Sequence, residues 1–349
     1  MSQQPLRIGI VGLGGNTRAR HVPGLLACPD VEIVAVCNRR PESTAAVAQE
    51  FHIARTYARW QDLLDDPAVN AVVIGTWPYL HQPITVAAIE RGKHVLCEAR
   101  MAMNAAEAQV MLAASEARPE VVCQLVPSPY GLRIHKQVQR LIDGGYLGEL
   151  REVVAIATND GLADPATPLA WRQVAELSGV NMLTLGIVHE ALIRWIGDPV
   201  RVLAQARACT AERLDPATGA LRRVGTPDSV QVLATFDDGA QGMYHVSGVT
   251  RFGPGTQIHL YGSEGTLKLE LMPHERIWGA RRGDSVLSEI PLIDDPTGGW
   301  RVESDFVASI REGRPVEFTD FASGVRYMEF TEAVARSAVS GHAVLLPWS

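Results

Sequence analysis

Between residues 6 and 125 the chain alternates two kinds of segment, and that alternation constrains its fold more than any other feature. Residues 6–11, 31–37, 71–76, 94–98 and 121–125 are short apolar runs rich in Val and Ile, bounded by Gly, Pro or polar residues. Runs of this length without polar alternation read as strands buried on both faces, as in a parallel sheet. Helical segments lie between them. Residues 41–51 are Ala-rich, residues 80–91 end in Arg91-Gly92, and Asn104 followed by Glu107 reads as an N-cap with its reciprocal acid. Strands alternating with helices predict an α/β domain with a doubly wound parallel sheet of Rossmann type over residues 1–126.

The pattern changes after Val126. A helix over 132–143 ends at Gly144-Gly145. Strand-like segments follow at 150–158, 201–210, 229–236, 241–247, 256–261 and 266–271, with no helical signal between most of them. Asp237-Asp238-Gly239 and residues 262–265 are hairpin signals. Residues 127–349 therefore predict an α+β domain built on a large, mainly antiparallel open sheet. Two helices, 302–312 and 321–339, close the chain, and the last is free to pack back on the first domain.

A length of 349 residues suits two domains. The formal charge of −7 opposes nucleic acid as a partner, because phosphate binding needs a basic face. No apolar run reaches the ~20 residues of a membrane span, and the polar start of the chain carries no signal-peptide pattern. The five cysteines (Cys28, Cys37, Cys97, Cys123, Cys209) are scattered and form no C-x-x-C pair. They read as reduced core residues of a cytoplasmic protein. No spacing of His, Cys, Asp or Glu matches a metal site, so none is expected.

Gly12, Gly14 and Gly15 stand directly after the first strand. Glycines there let the backbone turn tightly and approach a pyrophosphate, so the loop reads as dinucleotide-binding. Thr17 occupies the third glycine position of the G-x-G-x-x-G pattern. The second strand ends in Asn38, Arg39 and Arg40, where an acid would hold the ribose 2′-hydroxyl of NAD. Two guanidiniums without that carboxylate favour a 2′-phosphate. NADP(H) is the preferred cofactor on this reading, with NAD(H) possible.

These stretches, with "GKHVLCEARMAMNAAEA" (residues 92–108), "LIDGGYLGEL" (141–150) and "WRQVAELSGVNMLTLGIVHEALIRWIG" (171–197), resemble the Gfo/Idh/MocA oxidoreductases over nearly the whole chain. The resemblance implies nicotinamide-dependent oxidation or reduction of a sugar, polyol or similar compound. It also implies subunit pairing through the open sheet, as a homodimer or homotetramer. Carried onto matching positions, it sets Gly12, Gly14, Asn16, Asn38, Arg39, Thr76, Trp77, His81 and Glu98 along the cofactor, and Trp171 and Arg172 near the nicotinamide and substrate. Two departures stand out. The family's lysine after Glu98 is Ala99 here. Its later Asp-x-Gly-x-His signature is broken as well. One register puts Thr184 and Val188 at the acid and the histidine; the other puts Leu185 and His189 there.

A group that exchanges a proton at the substrate oxygen must then be sought elsewhere. His189 titrates near neutrality and is the preferred proton carrier. Arg100 is placed to polarise a carbonyl or hold a carboxylate. Tyr130 offers a phenolic proton, and Asn181 an amide to orient substrate. The function expected is an NADP(H)-dependent oxidoreductase of a sugar-, polyol- or cyclic hydroxyl/keto-type small molecule with an altered proton relay. The alternatives are an enzyme that keeps its cofactor without net redox change (a glycosidase, epimerase or lyase working through transient oxidation) and a non-catalytic nucleotide-binding protein.

Overall fold

The apolar runs of the first third pair into one parallel sheet. The computed structural model describes residues 4–295 and 297–347. Its first strands are β1 (Leu6–Val11), β2 (Val31–Cys37), β3 (Arg55–Thr56), β4 (Ala71–Ile74), β5 (His94–Cys97) and β6 (Cys123–Leu125). They lie in the order β3-β2-β1-β4-β5-β6, and every pair is parallel. Strand order reverses at β1, so a crevice opens past the carboxyl ends of β1 and β4. All four residues of β4 are buried, as both faces of such a sheet must be covered. The covering helices are α1 (Val22–Leu26), preceded by a π-helical turn Thr17–His21, then α2 (Pro41–Glu50), α3 (Trp60–Asp65), α4 (His81–Glu90) and α5 (Ala105–Glu116). Asn104 caps α5 as expected. Its side chain accepts from the Glu107 N–H at 2.8 Å, and the Glu107 carboxylate accepts from the Met103 N–H at 3.0 Å.

The second unit opens with α6 (His135–Asp143), β7 (Leu150–Thr158), α7 (Ala175–Ser178) and α8 (Leu185–Ile196). The strands β8 (Pro199–Arg207), β9 (Glu212–Leu214), β10 (Leu221–Arg223), β11 (Ser229–Phe236) and β12 (Gln241–Ser247) follow. The remaining ones are β13 (Thr256–Gly262), β14 (Gly265–Met272), β15 (Arg276–Arg281), β16 (Ser288–Ile290) and β17 (Val344–Leu345). Nine of them form one sheet, β16-β15-β14-β13-β7-β12-β11-β8-β17, and β9 with β10 makes a separate ribbon. The sheet is mostly antiparallel but mixed, because β7 and β12 pair in parallel. The two hairpin signals fall between β11 and β12 and between β13 and β14. One face packs on α8 through Val188, Leu192 and Trp195. The other carries a row in register, Leu203, Leu233, Met243, Val154 and His259, in which the first three are exposed.

The first unit runs to Pro127 and also takes up Arg301–Val325. Sequence reasoning puts the whole of 127–349 in the second domain. The returning segment holds α9 (Val302–Glu312) and the start of α10 (Phe321–Ser340). It is tied to the edge strand β6. Leu125 N–H donates to the Thr319 carbonyl at 2.9 Å, and Gln124 Nε2 donates to the Val302 carbonyl at 3.1 Å. The unit thus covers an edge that would otherwise leave backbone groups unpaired. No helix among the described residues is long and apolar enough to cross a membrane.

Candidate functional site

The glycine loop is built by close approach. Gly12 has φ +88°, and a Cβ on it would lie 2.6 Å from the Thr76 N, so only glycine fits. Thr17, at the third glycine position, donates from Oγ1 to the Gly12 carbonyl at 3.2 Å. It is accommodated from the other side. A Cβ on Gly75, just past β4, would lie 2.2 Å from Thr17 Oγ1 and 2.4 Å from the Gly12 carbonyl oxygen. Gly75 therefore supplies the close packing that the incomplete fingerprint lacks. A Cβ on Gly14 or Gly15 would meet nothing within 4 Å, so the loop leaves an open cradle.

Beside this loop, within the first unit, lies a cavity of about 450 Å³. Gly12, Gly14, Asn38, Arg39, Arg40, Thr76 and Trp77 line it, which brings seven of the expected cofactor residues to one place. Arg59 and Ser43 line it too. No Asp or Glu does, although the chain carries an excess of acid. Asn38 spends its side chain on the loop: Oδ1 accepts from the Leu13 N–H at 2.7 Å, and Nδ2 donates to Ser43 Oγ at 3.0 Å. The Arg39 guanidinium lies 5.4 Å from the centre of the Trp77 ring. Arg40 and Arg59 are exposed and make no ion pair among the described residues. Thr76 Oγ1 is buried without a hydrogen-bond partner. An open glycine cradle, an orphaned hydroxyl and the lining guanidiniums fit a dinucleotide.

At the end of β5 stand Glu98, Ala99 and Arg100. Glu98 is held by residues that sequence reasoning missed. His21, in the π-helical turn, lies between two carboxylates, with Nε2 3.0 Å from Glu98 Oε1 and Nδ1 2.5 Å from Glu303 Oε1. Ionised carboxylates accept and carry negative charge, so the pair favours a ring with hydrogen on both nitrogens. Burial alone would lower its pKa, but the two carboxylates raise it to about 9. Burial likewise would raise the Glu98 carboxyl, and His21 outweighs it and holds Glu98 below the ordinary range. Asn16 also donates from Nδ2 to Glu98 Oε1. The carboxylates flank opposite edges of one ring, and no group of three or more such side chains among the described residues could hold a metal ion.

His81 is a strut. It is buried, with Nδ1 2.9 Å from the Arg100 carbonyl and Nε2 3.0 Å from the Thr76 carbonyl. Arg100 itself is buried, which departs from an arginine open to substrate. Gly15 and Asn16 are exposed on the loop, outside the cavity lining.

In the second unit His189 is buried, and its ring stacks on Phe330 with centroids 3.5 Å apart. Nε2 lies 3.4 Å from Asp198 Oδ1, and Nδ1 lies 3.0 Å from the Tyr244 hydroxyl. Burial pushes its pKa down, with Asp198 opposing. The expected proton carrier therefore sits among core residues, with both ring nitrogens facing protein groups. Its neighbour Glu190 pairs with Arg194 at 2.6 Å and accepts from the Ser128 N–H at 2.7 Å. Tyr130 is half-buried against the same core. Trp171 and Arg172 form a 3-10 turn with the guanidinium 4.4 Å from the indole centre. Asn181 is buried and donates from Nδ2 to the Ser178 carbonyl at 2.6 Å.

Comparison with known proteins adds to this geometry. Residues 6–125 match the family model of the oxidoreductase family with NAD-binding Rossmann fold, and residues 135–268 match that of the GFO/IDH/MocA C-terminal domain. Levoglucosan dehydrogenase of Pseudarthrobacter phenanthrenivorans is 24% identical over 99% of this chain and 99% of its own length. The 1,5-anhydro-D-fructose reductase of Ensifer adhaerens is 26% identical, covering 95% and 96%. A solved structure of levoglucosan dehydrogenase, in complex with NADH and L-sorbose, has a TM-score of 0.88 at 24% identity. The likeness covers 98% of this chain and 99% of that one, and it is a likeness of fold.

Proposed function

The chain belongs to the Gfo/Idh/MocA family of NAD-binding oxidoreductases, and on that premise we propose that it is an NADP(H)-dependent oxidoreductase acting on a sugar, polyol or cyclic hydroxyl/keto compound. The observation that carries the cofactor preference is the cavity lining, three arginines and no carboxylate. A carboxylate at the end of β2 would repel a 2′-phosphate; Asn38 does not, and Arg40 and Arg59 are left to meet it. Thr76 and the open glycines would hold the rest of the dinucleotide. When bound, that group supplies hydride exchange with a substrate carbon. The substrate class follows from the relatives, one named for levoglucosan and one for 1,5-anhydro-D-fructose.

Ala99 cannot exchange a proton, so the relay differs from one built on lysine. Of the three groups singled out for it, Arg100 and His189 are buried and Tyr130 is not. The Tyr130 phenol is our candidate donor at the substrate oxygen, with Trp171, Arg172 and Asn181 as candidate substrate contacts. The outward row through Leu203, Leu233 and Met243 is the face through which we propose homodimer or homotetramer formation. Free thiols at all five cysteines suit the cytoplasm.

Titration of nucleotide-free protein with NADPH and NADH, followed by nicotinamide fluorescence, tests the reading. NADPH is expected to bind at least tenfold tighter. Arg40→Ala or Arg59→Ala should weaken NADPH about five- to tenfold, the value of one charge-assisted contact, and leave NADH unchanged. Preference for NADH would overturn the arginine argument and keep the family. A panel of sugars, polyols and ketones then tests hydride transfer at the nicotinamide band. Tight cofactor binding with solvent deuterium entering a sugar, and no cofactor turnover, would move the reading to an epimerase or lyase.

A further inference from the structure

We propose that His21 is a positioning residue for the nucleotide loop. Clamped between Glu303 and Glu98, it fixes the carboxylate to which Asn16 of the loop is bonded. The proposal rests on the dinucleotide reading above. The loop has two anchors. At its start the Asn38 amide accepts from the Leu13 N–H at 2.7 Å. At its end Asn16 donates to Glu98, whose Oε1 also receives His21 Nε2 and whose Oε2 accepts from the Ala99 N–H at 3.2 Å. His21 is itself five residues on from Asn16, in the turn that the loop feeds. Glu303 reaches it from α9, in the segment that returns to this unit after Trp300.

The clamp works while the ring carries both hydrogens. With one proton gone, a bare nitrogen faces a carboxylate, and one of the two acids must move away. Side-chain exposures of 0% at His21, 3% at Glu303 and 13% at Glu98 leave little water to replace the lost bond. The titratable groups facing the ring are Glu98, just past β5, and Glu303 from α9. Behind them His81 of α4 faces Glu98, and the Cys28 thiol, beside Arg311 of α9, faces Glu303. Burial keeps His81 neutral and raises the Cys28 thiol. His21 is the member of this cluster set to change charge as pH rises through about 9.

Two readouts in a Cys28→Ala background test the clamp. One is the NADPH dissociation constant from neutral pH to pH 10. The other is hydrogen exchange of residues 13–18 in nucleotide-free protein, corrected for intrinsic rate. In protein with His21 intact, affinity and loop protection should both fall about tenfold, with a midpoint near 9. His21→Gln should show the weakened loop already at neutral pH and no midpoint. Glu303→Gln keeps a hydrogen-bonding oxygen but removes a charge, so its midpoint should move toward neutrality. A histidine with a merely structural role would lower stability without moving that midpoint. Identical pH curves for His21→Gln and the parent, or an unmoved midpoint in Glu303→Gln, would overturn the proposal. If His21→Gln does not fold, Glu303→Gln decides alone. If the protein binds neither nucleotide, the dinucleotide reading fails, and the exchange curve still tests the clamp.

Discussion

Two fully buried histidines, His21 in the first unit and His189 in the second, are given opposite charge states by their neighbours. His21 meets a carboxylate at each nitrogen. His189 meets one carboxylate, Asp198, and one hydroxyl, Tyr244, and its face is covered by Phe330. A hydroxyl both donates and accepts, so a neutral ring suits His189: Nδ1 accepts from Tyr244, and Nε2–H faces Asp198 Oδ1 at 3.4 Å without closing a hydrogen bond. No neutral tautomer satisfies two carboxylates. Equal burial thus yields a pKa raised to about 9 in one unit and a lowered one in the other. Desolvation sets the penalty, and the negative charge at the ring nitrogens decides whether the ring accepts it: His81, equally buried but facing two neutral carbonyls, keeps a lowered pKa.

The largest test of this contrast is to replace each ring by an apolar side chain. His21→Leu strands two buried acids without their shared cation and should cost about 3–5 kcal/mol. His189→Leu removes a neutral ring, leaves the Tyr244 hydroxyl unpaired and should cost about 1–3 kcal/mol. Urea denaturation followed by tryptophan fluorescence ranks them. Equal costs would mean that His21 is not charged in the folded protein.

The same contrast predicts two limbs in the pH dependence of stability. His21 binds its proton more tightly folded than unfolded, with 6.5 raised to about 9. Its contribution is fully present below pH 6.5 and is lost as pH rises through 9, on the order of 3 kcal/mol at most. His189 has the opposite sign. Below pH 6.5 the unfolded chain takes up a proton that the folded core refuses, so stability falls as pH falls. Glu98, held below its ordinary 4.5, adds a further loss at still lower pH. Thermal melts should therefore peak near pH 6.5. Glu303→Gln should flatten the alkaline limb, and His189→Leu the upper part of the acid limb.

What sequence reasoning reads, and what it misses, divides along similar lines. Buried strands announce themselves by local composition, and β1, β2, β7, β11 and β12 fall at the expected residues. The glycine loop is local too, and its position after β1 identifies it. The clamp is not local: His21 and Glu303 stand 282 residues apart, and nothing in either neighbourhood marks them as partners. Gly75 is invisible for the same reason, since its role appears only when β4 lies beside Thr17. Arg59 precedes α3 between Ala58 and Trp60 and carries no signal of its own until the cavity is seen. His189 shows the converse case. A histidine near a broken family signature invites a catalytic role, but the residues that absorb it, Tyr244 and Phe330, lie on distant strands and helices.

The smallest test reaches the tautomer itself. Tyr244→Phe keeps the ring that packs 5.1 Å from Phe330 and deletes only the hydroxyl at His189 Nδ1. The buried nitrogen loses one neutral hydrogen bond, which should cost about 1 kcal/mol. The charge state should not change, because protonating Nδ1 would create a buried N–H with no acceptor. Nitrogen-15 shifts of the imidazole should therefore report a hydrogen on Nε2 and none on Nδ1 at neutral pH, in both the parent and the variant. A hydrogen on Nδ1 in the parent would reverse the assignment. It would set a bare Nε2 against Asp198, and the second histidine would then be poised to charge like the first.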